Sequence, residues 1–241
     1  MSLQRTAKEL IRHWIVRSGA TRLLVLARKA RGQNVDHLLQ PTSAARFEAI
    51  YRNAAWRGPG SSESLSGIGS EIENTRSIRA QLPRVLESLG TQLLLDVGCG
   101  DFTWMKEVSL PCDYLGVDIV KSVIEANRTQ YESPTRKFVV LDATADPLPE
   151  SDTVLCREML FHLSFDDVWR FIANVKKSGA KYLIATNDTS TERNSDIISG
   201  DFRLLNLLRR PFAFPPPMVS INDDAIDPGR MLSVWAVGSL P

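Results

Sequence analysis

From Gln92 onward the chain alternates short apolar runs with stretches of helical periodicity. That rhythm is expected of a parallel sheet joined by crossover helices. The runs predict strands over Gln92–Val97, Tyr114–Val117, Lys137–Leu141, Thr153–Cys156 and Lys181–Thr186, with helices filling the gaps. The clearest helix is predicted over Phe165–Lys177, where Ser164 and Asp167 form an S-x-x-D cap and Gly179 closes the end. After the proline-rich stretch Pro211–Pro217, two more strands are predicted, around Met218–Ile221 and over Met231–Val237. Two trailing strands after an alternating array imply an antiparallel hairpin at one edge of the sheet. The expected fold class is therefore α/β: a doubly wound, seven-stranded, mostly parallel sheet with an antiparallel edge strand.

Upstream the pattern differs. Leu10, Ile11, Trp14, Ile15, Leu23, Leu24 and Leu26 recur at helical spacing, with Gly19 dividing them into two helices. Trp56–Gly69 is rich in Gly and Ser and predicts a linker or mobile loop. A helix then runs from an Asn74 or Thr75 cap to Gly90, with Pro83 inside it. These shifts divide the chain into a helical extension with its loop, 1–73, and a main domain, 74–241.

Charge sharpens the division. The net charge is +1, yet residues 1–32 hold eight basic side chains against the single acid Glu9, leaving the main domain mildly acidic. A basic helix bearing Trp14 suits an anionic membrane surface through residues 5–31. It equally suits packing on the core or on a second copy of the chain, giving a homodimer. No apolar run near the start is long enough to span a bilayer. Cys99, Cys112 and Cys156 are odd in number and unpaired by spacing, which points to reduced thiols and a cytoplasmic location, membrane-peripheral if the helix rests on lipid.

Ligands of doubly wound sheets sit beyond the strands' carboxyl ends. Here three strand ends carry aspartate: Asp96-Val-Gly98-Cys99-Gly100-Asp101, then Asp118, then Asp142. Glycines 98 and 100 admit a ligand to the backbone of a tight turn. Thr103 stands where a dinucleotide fingerprint needs a third glycine, which argues against NAD. Asp118, 18 residues past Gly100, is placed to accept from both ribose hydroxyls. Asp142 and Ala143 would meet an adenine edge, and Asp96 a cationic group. Asp96 and Asp101 would repel a phosphate.

Leu94-Leu-Asp-Val-Gly-Cys-Gly100 resembles motif I of class I S-adenosylmethionine-dependent methyltransferases, and Leu115-Gly-Val-Asp118 resembles their second acidic motif. Asp142 and Asp152–Arg157 are similar to the third and fourth. The resemblance covers roughly residues 75–240 and implies a Rossmann-like domain with S-adenosylmethionine as cofactor. The cofactor-binding set it implies is Asp96, Gly98, Cys99, Gly100, Asp101, Asp118, Ile119, Asp142, Ala143 and Arg157. A finer pattern, Gly100–Met105 with Cys156–Leu163 and Phe214–Pro217, resembles a bacterial group associated with glycan or small-molecule tailoring. Glu158 replaces an expected Asp in it, and Thr186-Asn-Asp188 an expected Thr-Thr-Phe.

Acceptor-side candidates are Arg157, Glu158 and His162 after strand 4, and Asn187 and Asp188 after strand 5. His162, Asp188 and Glu158 are the candidates for catalysis; His162 is either the general base or a structural histidine. Glu158, Asn187 and Asp188 also offer hard oxygen ligands for Mg²⁺, although no metal is expected. The Ser66–Ser70 loop either closes over the cofactor's methionine end or is a plain linker. The segment Arg193–Asn206 is polar enough to recognise an acceptor. The expected reaction is methyl transfer to an oxygen, less readily a nitrogen, of a small molecule or sugar. A non-catalytic scaffold is the second reading. The third, a nucleic-acid methyltransferase docking through its basic N-terminus, is disfavoured because the N/D-P-P-Y/F motif is absent where Cys156-Arg-Glu-Met stands.

Overall fold

The computed structural model describes residues 21–57 and 64–241. Seven strands form one sheet: β1 (Leu93–Val97), β2 (Asp113–Asp118), β3 (Arg136–Val140), β4 (Thr153–Cys156), β5 (Tyr182–Asp188), β6 (Val219–Asn222) and β7 (Arg230–Ala236). Their order is β3-β2-β1-β4-β5-β7-β6. The first five run parallel, β7 lies antiparallel to β5, and β6 pairs antiparallel with β7 at the edge. The predicted trailing hairpin is therefore present, with its second strand inserted against β5. Chain order reverses between β1 and β4, which opens the ligand crevice at their carboxyl ends.

The period-2 alternation of the strands sorts the core into two layers. Leu95, Val97, Val117, Val154, Cys156, Leu183, Ala185 and Trp235 point to one face. There they meet α5 (Phe165–Lys177), through Val168, Phe171, Ile172 and Val175, and α2 (Ser43–Arg52), through Phe47, Ile50 and Tyr51. Leu94, Tyr114, Phe138, Leu155, Ile184, Leu232 and Val234 point to the other face, against Ile78, Leu82 and Leu86 of α3 (Arg76–Ser88). That i, i+4 stripe is fully buried, and its packing carries the helix through Pro83. Ser164 caps α5 as its sequence predicts, the side chain accepting from the Asp167 amide.

Two gaps between strands depart from the expected helices. Between β1 and β2 there is one 3₁₀ turn, Met105–Glu107. The chain bends at Phe102 (φ 61°) to bury that ring against Tyr114, Tyr131 and Phe138, so core burial wins over helical backbone. Between β3 and β4, Leu141–Asp152 holds no helix, and Pro147 and Pro149 interrupt any such pattern. Only β2 to β3, through α4 (Lys121–Tyr131), and β4 to β5 keep full crossover helices.

Of the predicted N-terminal helices, residues 5–20 lie outside the described residues. The described remainder, α1 (Thr21–Lys29), buries Val25 with Val35 and Leu38 and ties Arg28 to Asp201 at 2.7 Å. Its Leu23 and Leu26 are 65% and 63% exposed. Among the described residues no helix is long and apolar enough to cross a membrane. The region predicted as extension and loop meets the sheet's own core through α2, and that contact completes the cleft described next.

Candidate active site

A cleft of about 810 Å³, counting its open mouth, lies over the carboxyl ends of β1, β2 and β4. Gly98, Asp118, Ile119, Asp142, Ala143, Arg157, Glu158 and His162 line it, so the structure brings together eight of the residues singled out from sequence. Asp96, Cys99, Gly100, Asp101 and Asp188 do not line it.

At the β1 end the chain leaves Val97 through Gly98 (φ 76°) and Gly100 (φ 57°), backbone that side chains resist. The amides of Gly98 and Cys99 both donate to the Val117 carbonyl, at 2.8 and 3.1 Å, fastening the turn to β2. The Asp118 carboxylate accepts from the Gly100 and Val120 amides at 3.1 and 2.9 Å, and Asn127 of α4 donates to the Gly100 carbonyl at 2.8 Å. Burial pushes the Asp118 carboxyl up to about 6 despite those amides. Asp96 sits beneath the turn, 3% exposed, and accepts from the Tyr114 hydroxyl at 2.7 Å. Burial, only partly offset by that hydrogen bond, raises it to about 7. Burial likewise lifts the Cys99 thiol well above its ordinary value. Asp142 accepts from the Thr144 amide and hydroxyl at 2.9 and 2.7 Å.

Asp101 reaches away from the cleft and accepts from the Ser64 hydroxyl at 2.9 Å and from the Leu65 and Ser66 amides. Ser66 Oγ in turn accepts from the Asp101 amide at 3.0 Å and shares a 2.8 Å hydrogen bond with Tyr51 Oη. The described part of the Gly/Ser-rich segment is thus laid across the glycine turn. A Cβ on Gly100 would strike Ser66, and one on Gly98 would come within 2.9 Å of Met159.

The β4 end is built from ion pairs. Arg157 donates to both carboxylate oxygens of Asp223, at 2.8 and 3.0 Å, and lies over the Trp104 ring. Glu158 takes the left-handed conformation (φ 59°), its amide donating to Thr186 Oγ1 at 2.8 Å. Its carboxylate pairs with Arg230 and lies 3.5 Å from Arg157. Burial pushes this carboxyl up, but the two guanidinium groups outweigh it and hold the group below its usual range. His162 packs on Trp56 with ring centroids 4.4 Å apart, and its Nδ1 is 3.0 Å from the Asp201 carbonyl. A carbonyl only accepts, so Nδ1 carries the proton and Nε2 the lone pair. Burial lowers His162 to about 4, leaving the ring neutral at pH 7.

Asp188 is placed differently from expectation. It is fully buried at the end of β5 and accepts from Ser190 Oγ and the Thr191 amide at 2.6 and 2.9 Å, organising the turn that follows. Asn187 accepts from the Leu207 amide at 2.6 Å. Neither side chain lines the cleft beside Glu158, and among the described residues no group of three or more His, Cys, Asp or Glu could hold a metal.

Comparison with known proteins places this geometry. Residues 95–184, from β1 to β5, match the family described as "Methyltransferase domain". Over those residues the chain carries a methyltransferase domain. No curated protein matches the sequence. Among solved structures, human N-acetylserotonin methyltransferase in complex with SAM shares the fold at TM-score 0.54 and 14% identity, over 92% of this chain and 68% of that one. The N-methyltransferase NodS from Bradyrhizobium japonicum, in complex with S-adenosyl-L-homocysteine, does so at TM-score 0.50 and 16% identity, over 68% of this chain and 87% of that one.

The methyltransferase domain suits its cofactor at the glycine turn. A turn with glycine at 98 and 100 borders the buried Asp118 carboxylate, which has no cationic partner among the described residues, and that combination suits a ligand bearing ribose hydroxyls and positive charge. Several residues of the site gave little warning in the sequence. Trp56 and Tyr51 belong to a segment that reads as an extension. Asn127 looks like one polar residue of an amphipathic helix. Arg230 alone had a signal, as the single charge in the apolar run Arg230–Ala236.

Proposed function

We propose that this domain transfers a methyl group from S-adenosylmethionine to an oxygen of a small molecule or sugar. Bound S-adenosylmethionine supplies an electrophilic methyl group on a positively charged sulfur. Transfer is an in-line displacement, so the protein has two tasks: to align the reactants and to receive the acceptor's proton.

Asp118 would receive the ribose hydroxyls with the lone pairs that its two backbone amides leave open. Ile119, Asp142 and Ala143 would flank the adenine, and the exposed backbone of Gly98 would face the methionine portion. Asp96, Cys99, Gly100 and Asp101 act from beneath, by shaping the turn and pinning the 64–66 segment over it. Arg157, with its forked donors taken by Asp223, would serve through position rather than by binding the cofactor. Asp188 would likewise hold the turn after β5, leaving the proton to His162.

One observation carries the reading: a single cleft joins the Gly98, Asp118 and Asp142 wall to a neutral His162 whose Nε2 bears the lone pair. Calorimetric titration tests its first half. Micromolar binding of S-adenosylmethionine and S-adenosylhomocysteine, with none of NAD, is the expected result; absence of the first two would overturn it.

A further inference from the structure

The acceptor's chemistry is written on the wall opposite the glycine turn. Phe47 and Tyr51 from α2 and Trp56 just beyond it line the cleft together. Trp56 meets the other two edge to face, at centroid distances of 6.1 and 5.7 Å. Such mutually braced rings form a rigid apolar surface suited to a flat π-system.

The charges on the cleft point the same way. Arg157 is the one cation among the described residues that line it, and its Nε and Nη2 are already paired with the Asp223 carboxylate. Asp118, Asp142, Glu158 and Asp167 line it as well. Nearby Arg203 donates to the carbonyls of Leu160 and Leu163, and Arg230 pairs with Glu158 and Asp227. A phosphate or carboxylate on the acceptor would therefore meet four carboxylates and, among the described residues lining the cleft, a single cation already paired with Asp223.

His162 fixes where the reacting oxygen must go. One ring face is covered by Trp56, and Phe202 lies 5.5 Å from the ring centroid. His162 lines the cleft, and with Nδ1 held by the Asp201 carbonyl, Nε2 is the ring nitrogen left with a lone pair to accept a proton.

Resting on the methyl-transfer reading above, we infer that the acceptor is an uncharged phenol, its ring on the Phe47, Tyr51 and Trp56 wall and its hydroxyl directed at His162 Nε2. In the transfer, His162 takes the hydroxyl proton as the oxygen–carbon bond forms. The methyl carbon–sulfur bond breaks with its electron pair going to sulfur. The positive charge thus passes from the sulfonium to the imidazolium, which later loses its proton to water. Basicity agrees with this choice. The buried ring, faced by Glu158, Asp201 and Arg203, is held near a pKa of about 4 and is a weak base. A phenol at about 10 is far closer to it than an aliphatic hydroxyl near the value of water, about 16.

The test is equilibrium binding to the full chain saturated with S-adenosylhomocysteine, using phenol, phenyl phosphate and methyl glucoside as probes. Phenol should bind at least tenfold more tightly than either of the others. Trp56→Ala should weaken phenol at least fivefold and Trp56→Phe restore most of the loss, with S-adenosylhomocysteine affinity measured alongside as the control for folding. Equal or tighter binding of phenyl phosphate or methyl glucoside, or no phenol binding, overturns the inference while leaving methyl transfer intact. Failure to saturate with S-adenosylhomocysteine removes both.

Discussion

The two ends of the cleft bury carboxylates in opposite ways. At the β1 and β2 end, Asp96 and Asp118 have amide or hydroxyl donors but no ion pair among the described residues, and burial raises both, to about 7 and about 6. At the β4 end, Glu158 is largely enclosed, and Arg157 and Arg230 hold it below the usual range. Uncompensated burial costs stability unless a ligand brings the missing charge and donors, whereas compensated burial is already complete. The first end suits the cationic, hydroxyl-rich cofactor of the proposed reaction. The second fastens the β6–β7 hairpin to the end of β4.

If that contrast holds, breaking the second end should cost folding and breaking the first should cost binding. Arg230→Met leaves Glu158 and Asp227 without their shared cation and should destabilise the fold by about 3–5 kcal/mol, read from chemical denaturation. A loss below about 1 kcal/mol would mean that the pairing is ornamental. Asp118→Ala should change the stability of the folded protein little at pH 8, because deleting a carboxylate that is costly to ionise offsets the loss of its bonds from the Gly100 and Val120 amides. The same change should weaken S-adenosylmethionine by roughly a hundredfold, about 3 kcal/mol for the lost charge-assisted hydrogen bonds. Calorimetry reads that difference, and unchanged affinity would remove Asp118 from the site.

Sequence pattern carries the first end well and the second poorly, for a physical reason. Asp96, Gly98, Gly100 and Asp118 are read from local requirements: a turn that needs glycine, and strand ends a fixed distance apart. Strand periodicity likewise gives all seven strands and α5, within a residue or two at the ends. Glu158 pairs with Arg157 next door but also with Arg230, and Arg157 in turn with Asp223, both more than sixty residues away, and no local rule pairs them. Trp56 is hidden differently. It follows α2 inside a segment whose Gly/Ser content suggests a linker, and only tertiary packing brings its ring onto His162. Phe102 shows the converse case, a tempting helix start undone by an aromatic ring that finds its core by bending the chain.

The smallest effect probes the first end most finely. Asp96 has a folded pKa of about 7 against an ordinary value of 3.8, so the folded protein holds its proton more tightly than the unfolded chain does. Its contribution is complete below pH 4 and is lost as pH rises towards 7. Asp118 acts in the same sense up to about 6. His162, lowered to about 4, acts in the opposite sense, its contribution present above 6.5 and lost as pH falls towards 4. Tyr114 Oη donates to Asp96 and favours the ionised carboxylate, offsetting part of the cost of burial. Tyr114→Phe should therefore cost about 1 kcal/mol or slightly more at pH 8, where Asp96 is charged, and less at pH 5, where it is protonated. Denaturation at the two pH values gives the difference directly. A cost independent of pH would mean that the hydroxyl serves packing alone, and that the first end is less poised for positive charge than its buried carboxylates imply.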